Sequence, residues 1–292
     1  MTNTIGIIGL GRIGLPVAKK FIKNGYQVYG YARRPEVIKN FENMGGCYQP
    51  SPAEVANNCK TIIILVLNDQ QVKEVISGEK GILEGINPGS VIICMSTINR
   101  INLKSVAYDC ARQNIGFVDC PFTGGPDRVP KGRLTLIAAA TPDLIDKVEP
   151  ILNVIGNVVH VGNEPGLGQA VKHCNQLLVG ATHAATMEVI TLARKLNLDP
   201  SIVCDIAARG IAGSDYFRLL FESVLFHKPS PGSLGQMCKD VSIVSNTVDE
   251  VKMHALIAKA TATYFKIAEE KGMQNREGAD LIEVVESFTG NK

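Results

Sequence analysis

Apolar residues in this chain fall into short runs that alternate with amphipathic stretches through its first half, then into helical spacing alone. Thr4–Ile8 is a β-branched run that leads into Gly9-Leu10-Gly11-Arg12-Ile13-Gly14. Ile13, Val17 and Phe21 follow, until Asn24-Gly25 ends the pattern. Apolar residues three and four apart predict an α-helix, whereas short unbroken apolar runs between turn signals predict buried strands. On that basis Gln27–Tyr31 is the second strand, followed by 61–67 (TIIILVL), 91–95, Gly116–Asp119, Leu134–Ala139 and 158–161. Helical patterns near 51–58, 69–77, 99–113 and 142–155 lie between them. Runs such as TIIILVL are apolar on both faces, as parallel strands covered by helices on each side must be. The expected architecture is α/β, a doubly wound parallel sheet.

After residue 162 the strand pattern stops, and 164–292 reads as helices. The longest runs over about 166–196, with further ones at 200–209, 215–226, 236–247, 250–271 and 278–287. Asp199-Pro200, Gly210, Gly213, the KPSPGS stretch at 228–233 and Gly272 break them. Two domains are expected, 1–163 and an all-helical 164–292. The long stretch opens with two glycines and then lacks proline, so at ~1.5 Å per residue it predicts a helix of roughly 40 Å, a spine shared by both domains. Near its start, Lys172, Asn175 and Gln176 stand three and four apart, so one cation and two amides share a helix face. A lysine near a helix start is ordinarily solvated; its surroundings in sequence decide otherwise here.

Strand, G-x-G-x-x-G, helix is the context in which that short motif carries information. Gly9 permits a tight turn, Gly11 lets backbone approach a pyrophosphate, and Gly14 allows close packing of helix on strand. The helix N-terminus then offers N–H donors and a partial positive charge. A Rossmann dinucleotide-binding domain is therefore expected over 1–163, with Leu10, Arg12 and Ile13 completing its loop. An acid at the end of the second strand would accept from the adenosine ribose hydroxyls of NAD. This chain has Ala32-Arg33-Arg34 instead. A guanidinium can bind a 2′-phosphate bidentately, so NADP is expected over NAD. Ligands of such sheets sit beyond the carboxyl ends of the strands, where Leu67-Asn68, Ser96-Thr97 and Thr123-Gly124-Gly125 fall.

The 292 residues are 45% hydrophobic and 20% charged, with a formal net charge of +2 and no long basic run. Nothing in that balance points to nucleic acid or a membrane surface. No apolar run approaches the ~20 residues that cross a bilayer, and the N-terminus lacks a basic leader. The eight cysteines include no C-x-x-C pair, and several lie in apolar runs, which fits free thiols in a reducing compartment. A cytoplasmic protein is expected. His173 and His183 fall on the spine and read as structural or exposed, with no metal site around them.

Taken together, GIIGLGRIGLPVAKKF, MSTI, DCPFTGGPDRVPKGRLTL, GLGQAVKHCNQ, RGIAGS and Lys239-Asp240-Val241 come in an order that resembles the β-hydroxyacid dehydrogenases, over essentially the whole chain. The resemblance implies that Lys172 is the catalytic lysine, with Asn175 and Gln176 at the amide positions behind it. It implies that Thr123-Gly124-Gly125 holds a substrate carboxylate and that Ser96 and Thr97 place hydroxyls beside the nicotinamide. Lys239 and Asp240 match a pair that closes over the cofactor from the helical domain. Thr123 stands where that family has Ser, Asn68 where it often has Pro, and Val129 where it often has Ala. Pro126-Asp127-Arg128 is an unusual continuation of the carboxylate loop. These departures leave the substrate open.

The chemistry that fits is NADP-dependent interconversion of a small hydroxy acid and its semialdehyde or keto acid, without metal. Negative charge builds on a carbonyl oxygen as hydride reaches its carbon, and an adjacent ammonium can both stabilise that charge and give a proton. Burial in an interdomain cleft would lower the lysine's pKa and suit it to the reverse direction. An imine reductase on the same scaffold is the second reading, disfavoured because such relatives usually lack the lysine. Decarboxylating 6-phosphogluconate dehydrogenases have a longer helical region than this chain. A regulatory module that binds the dinucleotide without turnover is a third reading, against which the retained Lys172 and Thr123-Gly124-Gly125 weigh. The numerous apolar helical faces point to a homodimer or homotetramer.

Overall fold

Among the described residues nine strands form a single sheet: β1 (Thr4–Ile8), β2 (Gln27–Tyr31), β3 (Cys47–Tyr48), β4 (Thr61–Ile64), β5 (Val91–Cys94), β6 (Gly116–Asp119), β7 (Phe122–Thr123), β8 (Leu134–Ala139) and β9 (Gly156–Gly162). The computed structural model describes residues 3–288; Met1, Thr2 and 289–292, the outer ends of the expected leaderless start and of the two expected domains, lie outside the described residues. The strand order is β3-β2-β1-β4-β5-β6-β8-β7, with β9 paired to β8. Every pairing from β3 to β6 is parallel. β8 then runs antiparallel to both β6 and β7. The expected parallel sheet therefore holds for six strands and becomes mixed at one edge. The reason lies in the connections, since a parallel return needs a crossover of a dozen or more residues, usually a helix. Only Cys120-Pro121 separates β6 from β7, and the segment from β7 to β8 contains no α-helix. The two-residue strands β3 and β7 are too short to leave a periodic signal in sequence.

Seven helices cover this sheet: α1 (Gly14–Lys23), α2 (Pro35–Asn43), α3 (Pro52–Asn58), α4 (Asp69–Ser77), α5 (Ile82–Gly85), α6 (Arg100–Arg112) and α7 (Pro142–Leu152). Successive residues of a strand point to opposite faces, and β4 shows the consequence. Ile63 joins the core with Val17, Phe21 and Ile93, while Ile62 and Ile64 join the other with Val106 and Phe117. Each fully buried isoleucine contributes roughly 1.5–3 kcal/mol by leaving water. Side chains set several helix starts. Ser51 accepts from Glu54 N, Asn68 from Gln71 N, and Asn99 from Ile101 N and Asn102 N. Such caps satisfy N–H groups that have no partner within the helix.

Six further α-helices follow among the described residues: α8 (Leu167–Lys195), α9 (Pro200–Arg209), α10 (Asp215–Phe226), α11 (Leu234–Glu250), α12 (Leu256–Glu270) and α13 (Leu281–Ser287). The expected spine of 166–196 is thus α8, within one residue at each end. The expected helix from 250 begins only at 256, because the chain turns at Lys252, whose φ is +55°. Ser233 accepts from Gln236 N and starts α11 earlier than the apolar pattern alone suggests. The chain divides into two compact units after Lys172, inside α8 rather than near residue 163. Hydrogen bonds that fasten the first turn of α8 to the sheet account for the difference. Among the described residues no helix is long and apolar enough to cross a membrane.

The second unit closes around Met187, Leu220, Leu234, Met237, Phe265 and Leu281. His183 lies inside it, 1% exposed, with Nε2 2.9 Å from Gly278 O and Nδ1 3.0 Å from the Tyr216 hydroxyl. A ring nitrogen facing a carbonyl must carry the proton, so Nε2–H donates to Gly278 and Nδ1 accepts from Tyr216. His173 is buried too, and since the Thr247 hydroxyl donates to Ile243 O, His173 Nδ1–H donates to Thr247. Burial holds His183 neutral, pushing its pKa from 6.5 down to about 4. Its folded value lies below its unfolded one, so its contribution is complete above about pH 6.5 and is lost as pH falls toward 4. That gap corresponds to about 3 kcal/mol. Between pH 7 and pH 4 the wild-type protein should lose about that much more stability than His183→Gln, measured by denaturant melts; equal losses would contradict the assignment.

Candidate active site

Each glycine of the first loop answers a different constraint. Gly9 follows β1 with φ of +97°, and a Cβ there would lie 2.5 Å from Leu65 O. At Gly14, which opens α1, a Cβ would lie 2.0 Å from Gly9 O. Gly11 has nothing within 4 Å of such an atom. The protein's own packing therefore explains Gly9 and Gly14, while at Gly11 the cleared space faces outward, as close approach of a pyrophosphate requires. Ile13 at the N-cap of α1 offers no side-chain cap, and the first turn holds no acid, which leaves the helix's positive end to an anion. These residues fit a dinucleotide. Leu10 turns its side chain into the core, so only its backbone is available to a ligand. Arg12, Arg33 and Arg34 are exposed, Ala32 is half-buried, and Arg34 Nε lies 3.7 Å from Glu36 Oε1. That solvated pair is worth at most about 1 kcal/mol, too little to commit Arg34.

At the neighbouring strand ends several expected side chains already have partners. Leu67 N donates to Gln71 Oε1 at 3.0 Å, and Asn68 Oδ1 accepts from Gln71 N at 3.0 Å. Asn68, where a proline was the alternative, thus builds the start of α4. Ser96 is buried, and its hydroxyl proton goes to Val66 O at 2.8 Å; Thr97 beside it is half-buried. In the carboxylate loop Thr123 pairs with Thr135 across β7 and β8. Gly124 and Gly125 follow with φ of +126° and +72°. A Cβ on Gly124 would lie 2.9 Å from Arg128 Cδ, so the Arg128 stem covers that glycine, whereas Gly125 borders open space. Val129 is fully buried, and Lys20 Nζ of α1 donates to Pro130 O at 3.1 Å, which ties the loop down.

Two residues that the sequence reading did not single out anchor the start of α8. Asp119, fully buried at the end of β6, accepts through Oδ2 from Gly166 N at 2.8 Å and Gln169 N at 3.1 Å. Its Oδ1 accepts from Gln169 Nε2 at 2.9 Å. Gln169 Nε2 also donates to Ser96 O at 3.1 Å, and its Oε1 accepts from Ile98 N at 3.0 Å. Burial pushes Asp119 up from 3.8 to about 6 even though these donors pull the other way. Desolvation outweighs the hydrogen bonds, and this carboxyl withdraws stability as pH rises from about 4 to about 6. An acid ending an otherwise apolar strand was the available signal in sequence. Lys172, one turn beyond Gln169, is 7% exposed.

In the second unit four of the expected residues form one chain. Gln176 Nε2 donates to Asp240 Oδ2 at 2.7 Å, and Asn175 Nδ2 donates to Gln176 Oε1 at 3.0 Å. Lys239 Nζ lies 2.7 Å from Asp240 Oδ1. A carboxylate can only accept, so Asp240 fixes the Gln176 amide, and that amide in turn fixes Asn175. Asp240, expected with Lys239 over the cofactor, is engaged by both Lys239 and Gln176.

Residues 4–162 match the family model for the NAD binding domain of 6-phosphogluconate dehydrogenase, and 166–285 match that for NAD-binding of NADP-dependent 3-hydroxyisobutyrate dehydrogenase. The chain is similar to an L-threonate dehydrogenase of Cupriavidus necator, 28% identical over 97% of this chain and 96% of that one. It is also similar to the mitochondrial 3-hydroxyisobutyrate dehydrogenase of Mus musculus, 29% identical over 96% of this chain and 86% of the relative. A crystal structure of 3-hydroxyisobutyrate dehydrogenase from Salmonella typhimurium shares the fold with a TM-score of 0.89, at 24% identity over 97% of this chain and 99% of that one. The chain belongs to the β-hydroxyacid dehydrogenase family. It is an oxidoreductase that acts on a hydroxy acid with a nicotinamide dinucleotide.

The glycine geometry separates ligand binding from folding. Gly11→Ala should melt like wild type yet weaken dinucleotide binding at least tenfold, read from nicotinamide fluorescence. Gly14→Ala should instead lower stability by about 1–3 kcal/mol, the usual cost of overpacking. An unchanged affinity in Gly11→Ala would show that the space has another purpose.

Proposed function

We propose that this enzyme interconverts a small 3-hydroxy or related hydroxy acid and its semialdehyde or keto acid with NADP, using Lys172 as the general acid and base. The observation that carries this reading is a lysine buried one turn beyond an anchored helix start, in a chain whose glycine turn suits a dinucleotide. When bound, the nicotinamide gives or takes the hydride at the substrate carbon. In reduction, negative charge develops on the carbonyl oxygen and Lys172 Nζ–H gives it a proton; in oxidation the neutral amine takes that proton from the hydroxyl. Thr123, Gly124 and Gly125 receive the substrate carboxylate, since two adjacent positive-φ glycines present backbone donors without a Cβ in the way. Ser96 stands beside that pocket on the same unit, and Asn175 and Gln176 steady the lysine's face of α8.

Cofactor contacts come from residues 9–14, Ala32 to Arg34, Leu67, Asn68, Ser96 and Thr97. Arg33, exposed just beyond β2 with no acid beside it in sequence, supports NADP over NAD. Relatives named for L-threonate and 3-hydroxyisobutyrate make these the first substrates to try. Free cysteines, most of them buried, support a reducing, cytoplasmic setting. Exposed Leu178, Leu192, Ile202, Ile206 and Phe226 support a homodimer or homotetramer.

Arg33→Asp should weaken NADP binding by about 1–3 kcal/mol, the range for hydrogen bonds to charged groups, and improve NAD relative to it. Wild-type preference for NADH under matched conditions would reverse the cofactor assignment. Lys172→Ala should leave dinucleotide affinity nearly intact and lower kcat by about 10²- to 10⁴-fold, the worth of a positioned proton donor. Lys172→Arg should recover little, because a guanidinium does not give up its proton near neutral pH. In the wild type, reduction should fall and oxidation rise as pH passes through the lysine's pKa. Near wild-type turnover by Lys172→Arg would make the lysine an anchor for charge rather than an acid.

A further inference from the structure

We infer that Asp119 and Gln169 are positioning residues for the reaction, setting the place of Lys172 through the first turn of α8. The inference rests on the reading of Lys172 as the proton donor. A helix start can be held by packing alone, but here polar contacts fix it in both direction and register. Asp119 receives two backbone N–H groups of the α8 entry and the Gln169 amide. Gln169 adds a bond to Ile98 N and one to Ser96 O, so a single buried side chain joins the ends of β5 and β6 to the helix. Gly168 removes the remaining freedom. A Cβ there would lie 2.8 Å from Ile137 O and 2.9 Å from Asp119 Oδ2, so the helix backbone itself rests on β8 and on the end of β6. A residue three positions on shares a helix face, which puts Lys172 directly above Gln169. Hydrogen bonds made only by side chains in this way define the geometry of whatever stands one turn further along.

The donor and acceptor pattern leaves little choice of residue. An ionised Asp119 is acceptor-only and faces donors alone, while Gln169 must present its nitrogen to Asp119 and Ser96 and its oxygen to Ile98. Gln169→Glu by itself would bring two carboxylates together. Adding Asp119→Asn would restore that pair with the roles exchanged, because the new amide nitrogen faces Glu and its oxygen still receives the helix N–H groups; Ser96 O then loses its donor, so the recovery is partial.

Gln169→Met keeps the bulk and removes the amide. It should lower kcat about 10²-fold, as a misplacement near 1 Å does, while changing dinucleotide affinity less than threefold. The same change placed in Lys172→Ala should cost less than threefold further, since a residue that acts through the lysine has nothing left to position. A similar loss in both backgrounds would overturn the inference and leave Gln169 a support of the fold. So would a Gln169→Met enzyme within threefold of wild type. Should Gln169→Met not fold, Gln169→Glu should lose activity and the exchanged pair with Asp119→Asn should recover at least tenfold; no recovery in a folded protein counts against it. Failure of the underlying reading looks different, because Lys172→Arg would then be nearly as active as wild type.

Discussion

The carboxylate of Asp119, buried against the first turn of α8, is the contact on which the rest of the first unit's site depends. Hydrogen bonds to a charged group are each worth about 1.5–3 kcal/mol, whereas burying a carboxylate costs several kcal/mol. The raised pKa of Asp119, about 6, says that the cost is the larger. The chain keeps a locally unfavourable group where it binds the helix entry. What the arrangement provides is register. The helix cannot slide or rotate without breaking bonds to Asp119, Ser96 and Ile98 together.

A similar division of labour runs through the dinucleotide loop. Gly9 and Gly14 are glycines because neighbouring backbone leaves no room for a side chain, and Gly11 is one where the protein itself imposes nothing. The family's signature thus combines folding constraints with one position answerable only to the ligand. The carboxylate loop repeats the pattern: Gly124 makes room for the Arg128 stem, while Gly125 opens outward. Arg128 and Val129 are where this chain departs from the family's pattern, and Val129 is the loop's buried anchor. The departures change how the loop is held as well as what stands near it.

The polar chain of the second unit follows the same logic as Asp119 with a different result. Asp240 accepts from Gln176, and Gln176 accepts from Asn175, so one buried acid settles the orientation of two amides on α8. Sequence spacing put Asn175 and Gln176 on the face of Lys172 but could not say which way their amides point. That is decided by an acid 64 positions away along the chain.

Most of the longer elements, the parallel body of the sheet and the glycine turn were legible in sequence alone, because each is written in local periodicity or in a motif with adjacent flanks. Thr4–Ile8 before the glycines and α1 after them needed no distant partner to be recognised. The antiparallel edge formed by β7 and β8, the capping role of Asn68, the bond from Ser96 to Val66, and the place of Asp119 and Gln169 emerged with the folded chain. These depend on hydrogen bonds between residues far apart in sequence, and such a bond leaves no period or spacing behind it. A buried acid looks the same in sequence whether it anchors a helix, faces a ligand or meets water. What distinguishes the three is which donors the fold brings to it.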